Sequence, residues 1–241
     1  MPALILLLLL GQDAPVPLPQ PPPGPAATTR EGERRFLDPK KVPAEGPSST
    51  SFMAPGWKIE SFSYGDLNGD AREDVVLRLV ENLPFENEEG AWNDRHRALV
   101  IIFKRADGSF ERAAVATRLI YCSTCAGALG DQEGANISVE IKGGVLNVSQ
   151  MSGSRWATDH TWRFRYDAKA GRFALIGEDV ETSDRAAGGG TSTSTNYLTG
   201  LRVTKKTAVL KEGQEPRVVS TRRTRLKPSR RFIEDVDYEE Q

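Results

Sequence analysis

Asp66-Leu67-Asn68-Gly69-Asp70-Ala71-Arg72-Glu73-Asp74 sets oxygen-bearing side chains at Asp66, Asn68 and Asp70, two residues apart, and again at Asp74. Hard oxygens in a tight loop are the chemistry of calcium, which takes roughly six to eight of them at about 2.3 to 2.6 Å. The backbone carbonyl that such loops contribute would come from Arg72, so the expected metal set is Asp66, Asn68, Asp70, Arg72 and Asp74 around Ca2+. An EF-hand would place a bidentate Glu where Leu77 stands and would flank the loop with helices, and the flanking residues here are β-type. The same residues also suit a plain turn in which Asx side chains bond their own backbone.

The two cysteines form a C-x-x-C, Cys122-Ser123-Thr124-Cys125, followed by Ala126-Gly127-Ala128-Leu129-Gly130. Thioredoxin-type chemistry needs a helix N-terminus to lower the thiol pKa, and this Gly-rich continuation offers none. A zinc site needs two further ligands, and only His96 and His160 remain, far apart in the chain. The expectation is a local Cys122–Cys125 disulfide formed in an oxidising compartment, with free buried thiols and redox or metal chemistry as the alternatives. Glu86, Glu88, Glu89 and Asp94 flank Trp92 and His96, a polar stretch that suits either a solvated loop or the carboxylates of a hydrolase or lyase. No nucleophile motif, phosphate loop or triad spacing accompanies it. No catalytic residue is therefore assigned.

These groups need strands to position them. From Trp57 onward, β-branched and aromatic runs alternate with Gly, Asn and Asp, and strands are predicted over 57–63, 74–80, 98–104, 110–119, 137–141, 145–151, 156–166, 172–176, 197–205 and 217–225. The run Ala98-Leu99-Val100-Ile101-Ile102-Phe103 has no polar interruption and should be covered on both faces. Lys142-Gly143-Gly144 should close a tight hairpin between two alternating strands. In 156–166 the even positions Trp156, Thr158, His160, Trp162, Phe164 and Tyr166 predict a core face. The Gly- and Ser-rich stretch 184–195 is expected to be a mobile loop.

At 241 residues and net charge −1, the chain is long enough for one core and has no global pull toward nucleic acid or anionic surfaces. Residues 3–10 are apolar but too few to span a bilayer as a helix, so residues 1–11 read as a signal peptide and no transmembrane segment is expected. Ten prolines from Pro15 to Pro47, with Pro55 at the boundary, make 12–56 an expected disordered Pro-rich linker. An all-β domain is expected over 57–228 and a charged flexible tail over 229–241. A basic run such as Arg217 to Arg231 can contact lipopolysaccharide, phospholipid or nucleic acid, but with no interleaved aromatics and with Glu234, Asp235, Asp237, Glu239 and Glu240 after it, it reads as a solvated edge strand and tail, with no nucleic-acid partner expected.

Asp66, Asn68, Asp70 and Asp74, with β-type flanks, resemble the FG-GAP (VCBS-type) calcium repeat of integrin-like β-propellers. Ala71 departs from the glycine usual at that position, and only one good copy of the motif is present; Gly130-Asp131-Gln132-Glu133-Gly134-Ala135 is a faint second. The order of pieces from Gly65–Asp70 through Arg97–Phe103, Cys122–Asp131, Gly153–Tyr166 and Asn196–Gly200 also resembles a group of uncharacterised exported bacterial proteins. The combined expectation is an all-β, antiparallel meander, sandwich-like or incomplete propeller-like, in one domain. It would be a noncatalytic, calcium-stabilised exported module, periplasmic or secreted, acting in binding or in the envelope, with a protein or glycan as ligand. A carboxylate hydrolase or lyase and an inhibitor or immunity-like protein are the alternatives.

Overall fold

The computed structural model describes residues 36–211 and 213–240. The expected signal peptide and the first part of the expected linker lie outside the described residues. Twelve strands follow in order: β1 (Glu45–Gly46), β2 (Trp57–Gly65), β3 (Asp74–Glu81), β4 (Arg97–Lys104), β5 (Phe110–Ala116), β6 (Ile137–Lys142), β7 (Val145–Gly153), β8 (Trp156–Asp167), β9 (Arg172–Asp184), β10 (Gly190–Asn196), β11 (Leu201–Ala208) and β12 (Arg217–Arg225). They form two antiparallel sheets, ordered β1-β5-β4-β3-β2 and β12-β11-β10-β9-β8-β7-β6. The expected all-β class is what the structure shows, and each sheet is a meander apart from β1.

The main core lies between the sheets. Val76, Leu99, Ile101 and Phe103 of one sheet pack with Leu146, Val148, Trp162, Phe164 and Phe173 of the other. Alternation along β8 works as expected in its middle, where His160, Trp162 and Phe164 are buried, and ends at Trp156, which is 39% exposed. Lys142 pairs with Val145 across the expected two-residue turn, with Gly143 at φ 59° and Gly144 at φ 71°, the left-handed conformation that favours glycine.

Every residue of β3 is buried, so its second face needs a cover as well. That cover corrects the expected linker. Residues 36–56 are structured: 3-10 turns at Pro39–Lys41 and Ser49–Phe52 and the short β1 lay Leu37, Val42, Phe52 and Ala54 over Val75, Leu77, Leu79, Val100 and Ile102. Prolines fix φ here without preventing burial, because Arg112 supplies donors to the Pro39 and Val42 carbonyls. The expected flexible tail is corrected too. Ile233, Val236 and Tyr238 are buried, and Arg118 pairs with Asp237 at 2.9 Å. The expected loop 184–195 holds only a short turn, since β10 pairs in full register with both β9 and β11.

Candidate functional site

Asp66 to Asp74 joins β2 to β3, as the motif requires. Its side chains turn back on their own loop. Asp66 accepts the N–H groups of Gly69 (2.7 Å) and Ala71 (2.9 Å), and Asp74 accepts those of Leu67 (2.8 Å) and Lys104 (3.0 Å). Asn68 bonds Asp70 in both directions, and the Arg72 guanidinium pairs with Asp70 while its Nε donates to the Lys104 carbonyl at 2.9 Å. Ala71 sits at φ 62°, so the position where the motif wants glycine keeps glycine's conformation despite its Cβ. Burial pushes the Asp74 carboxyl above its ordinary pKa against the two N–H donors, with Asp70 and Asp66 adding repulsion. Burial opposes ionisation of Asp70 as well, but there the Arg72 N–H, the Asn68 amide and the Arg72 guanidinium outweigh it and lower the pKa.

The donors are the hard oxygens calcium takes, yet their arrangement does not fit the ion as it stands. Each carboxylate oxygen accepts a bond from the chain that fixes its direction, and a cation of the protein's own sits on Asp70. Among the described residues, no three His, Cys, Asp or Glu side chains converge as a metal centre.

A cleft of about 580 Å³ lies elsewhere, between the β3–β4 loop and the segment that follows β5. Phe85, Glu86 and Trp92 line one side; Ser123, Thr124, Asp131, Gln132 and Glu133 line the other. The first wall is a small hairpin in which Glu86 bridges Trp92, and the Asn87 side chain accepts the N–H groups of Glu89 and Ala91. It holds Phe85 and Trp92 at 44% and 59% exposure on the same side of one concavity. The second wall begins at the Cys122–Cys125 disulfide, which is formed. Its turn is tied to the first wall by Arg95 N–H to Ser123 Oγ (3.0 Å), Ser123 Oγ to the Asn93 carbonyl (2.8 Å), and a bond from Thr124 Oγ1 to Asp94.

Beneath the second wall is a buried cluster that sequence reading missed. Glu60 receives Arg97 through Nε and Nη2 at 3.0 Å and lies 2.7 Å from Arg78 Nε, an ion pair off the line of a hydrogen bond. Arg97 Nη2 also donates to the Asp131 and Gln132 carbonyls at 3.0 Å, Arg95 donates to the Gln132 carbonyl, and Arg78 donates to that of Ile137 at 2.8 Å. Burial pulls the Arg78 and Arg95 guanidiniums below their ordinary pKa, in both against the pull of Glu60; the charge of Arg97 lowers both further. Gly134, at φ 75°, closes over this cluster: a Cβ there would stand 3.0 Å from Arg78 Nη2 and from Glu60 Oε2. The acidic rim of the cleft is thus hung by its carbonyls on buried guanidiniums. Asp131 accepts the N–H groups of Ala135 and Glu133, which hold its carboxyl below the ordinary range.

The residues singled out in sequence are only partly brought together. Glu86 and Trp92 line the cleft, whereas Glu88 and Glu89 point into solvent, Asp94 is bonded by Thr124, and the His96 ring packs 4.9 Å from Phe36. The one sequence signal for the cluster was Arg78 inside the apolar run Val75 to Val80. No protein-family model matches the chain, and no curated protein or solved structure matches it.

Proposed function

We propose that the protein is a noncatalytic exported binding module whose ligand, a glycan, lies in the cleft between Trp92 and Glu133. The observation that carries this reading is the meeting of two exposed aromatic rings with three carboxylates and two hydroxyls around one concavity. Aromatic faces cover the apolar face of a sugar, and Glu86, Asp131 and Glu133 accept bonds from its hydroxyls. Concave sites of this size, apolar with a few placed polar groups, are where small ligands bind. Asp131 is held ionised by backbone donors, which supports recognition over a role for it as an acid.

The disulfide supports export, because such bonds persist in oxidising compartments. Among the described residues no helix is long and apolar enough to cross a membrane. The Asp66 to Asp74 loop acts as a self-closed turn that takes calcium only when Arg72 yields Asp70; calcium therefore raises the melting temperature of Arg72→Ala more than that of the parent chain.

A glycan array followed by fluorescence titration tests the binding reading. Trp92→Ala weakens the selected glycan by about thirtyfold, the scale of an aromatic anchor, while Trp156→Ala, on β8, changes nothing. Equal loss in both variants, or an array with no bound glycan, would reject it.

A further inference from the structure

The strands of the final hairpin are rich in cations, while the loop that joins them holds Glu212 and Glu215. Arg202, Lys205 and Lys206 lie on β11 and Arg217, Arg222, Arg223 and Arg225 on β12, and β10 to β12 contain no acid. Among the described residues, the ion pairs all lie elsewhere. Register spreads the charge over both faces. Arg202 stands opposite Thr224, Arg222 opposite Thr204 and Lys206 opposite Ser220 on one face; Arg223 opposite Val203, Lys205 opposite Thr221 and Arg225 opposite Leu201 on the other. Each of these six cations meets a neutral residue across the ladder, and diagonal neighbours sit about 7 to 8 Å apart. Mutual repulsion stays small while the outward potential remains.

The turn end of the same hairpin exposes large aliphatic side chains. Leu210 is 62% exposed, Val218 55% and Val219 51%. The register shift between Lys206 and Thr207 leaves Val219 without a cross-strand partner. Lys211 and Arg217 stand beside them in the chain, with Glu212 and Glu215 between, so the cationic excess comes from the strands. An apolar tip backed by cations is the profile of an element that lies in a lipid interface: aliphatic groups enter the headgroup boundary and Lys and Arg face anionic lipids.

Other occupants fit less well. β12 is the outer strand of its sheet, so its edge is open, but pairing two β12 edges from two copies would bring their arginines together. Single-stranded nucleic acid is held by stacking on aromatic rings, and β10 to β12 carry none. We propose that the β11–β12 hairpin docks the protein tip first on an anionic lipid bilayer, with Leu210, Val218 and Val219 in the headgroup region and the cations of both faces set above the charged lipids. The proposal is independent of the glycan cleft, and Trp92→Ala leaves lipid docking intact.

Flotation of the full chain with vesicles of phosphatidylcholine alone, and with phosphatidylcholine and phosphatidylglycerol at two to one, tests it. The readout is the ratio of the two affinities, which cancels any charge-independent partitioning by residues 3–10. The parent chain prefers anionic vesicles at least tenfold, and the preference falls as salt rises. Each cation neutralised costs about fivefold, so the combined variant Lys205→Gln, Lys206→Gln, Arg222→Gln, Arg223→Gln loses the preference. Leu210→Asn with Val218→Thr weakens binding to anionic vesicles and leaves its salt dependence in place. Melting curves establish that the variants are folded, and should the combined one unfold, the single reversal Arg223→Glu gives the same reading on a smaller scale. Equal partitioning of the parent chain, a preference unchanged in the charge variants, or displacement of the protein from vesicles by heparin with no effect of the aliphatic variant would overturn the proposal.

Discussion

Two regions of this molecule are rich in arginine, and they meet opposite fates. Arg78, Arg95 and Arg97 are buried, and their charge is met by Glu60, by backbone carbonyls and by the Phe85 ring 4.2 Å from Arg95. The cations of β11 and β12 stand mostly in water with no acid among them. A charge removed from water must be matched group by group, whereas a charge left in water needs no match and keeps its field for a partner. The buried set therefore builds the molecule, and the exposed set faces outward from it.

The contrast can be broken most forcefully at Glu60. Glu60→Ala leaves two guanidiniums without their carboxylate and should lower stability by about 3 to 5 kcal/mol, read by urea denaturation. Glycan binding at the cleft falls with it, because the 131–133 rim hangs on the same cluster. Next in size is Gly134→Ala, which strains a φ of 75° and presses on Arg78 and Glu60; a loss of about 2 kcal/mol is expected in the same measurement. Cys122→Ser with Cys125→Ser removes a small covalent loop from the wall above the cluster, for which about 2 kcal/mol follows from chain entropy.

The exposed region should behave differently. Lys205→Gln or Arg223→Gln should each shift stability by no more than about 0.5 kcal/mol, and a loss on the scale of Glu60→Ala would erase the distinction. The smallest effect is spectroscopic and asks whether the matching rule holds for a buried acid. Glu178 is hydrogen-bonded by His160 Nε2 at 2.8 Å and by the Tyr197 hydroxyl, and burial together with that carboxylate pushes the Tyr197 phenol up to about 12. Its folded pKa lies above the unfolded value of 10.0, so its contribution to stability is complete below that value and disappears as pH rises through about 12. Ultraviolet titration should show the late tyrosine, and Glu178→Gln should bring it earlier.

Much of the fold was legible because burial writes period two into a strand. The core stretch of β8 follows from it, the doubly covered β4 from the lack of any polar interruption, and the hairpin from its Gly143-Gly144 turn. β10 escaped because Gly-Thr-Ser-Thr-Ser-Thr has the composition of a loop; two neighbouring strands hold it in place, and hydroxyls meet across them, as Thr193 meets Thr204 at 3.2 Å. Residues 36–56 escaped because four apolar contacts scattered among prolines leave no periodicity. At the candidate site, spacing located the Asp66 to Asp74 turn and the Cys122–Cys125 pair, since both are local. The cleft was beyond reach: its walls come from segments some forty residues apart, and which Arg answers Glu60 is a question of packing.

The cover of the first sheet has a consequence for the order of assembly. Apart from β1 on β5, neighbouring strands in each meander are also neighbours in sequence, so most pairing closes short loops and can proceed as the chain emerges. The segment carrying Leu37, Val42 and Phe52 emerges before the surface it must seat on exists. It has to wait for β3, β4 and β5, and during that wait an apolar sheet face stands bare. What is made first is fastened last, and that interval is when a chaperone would have something to hold.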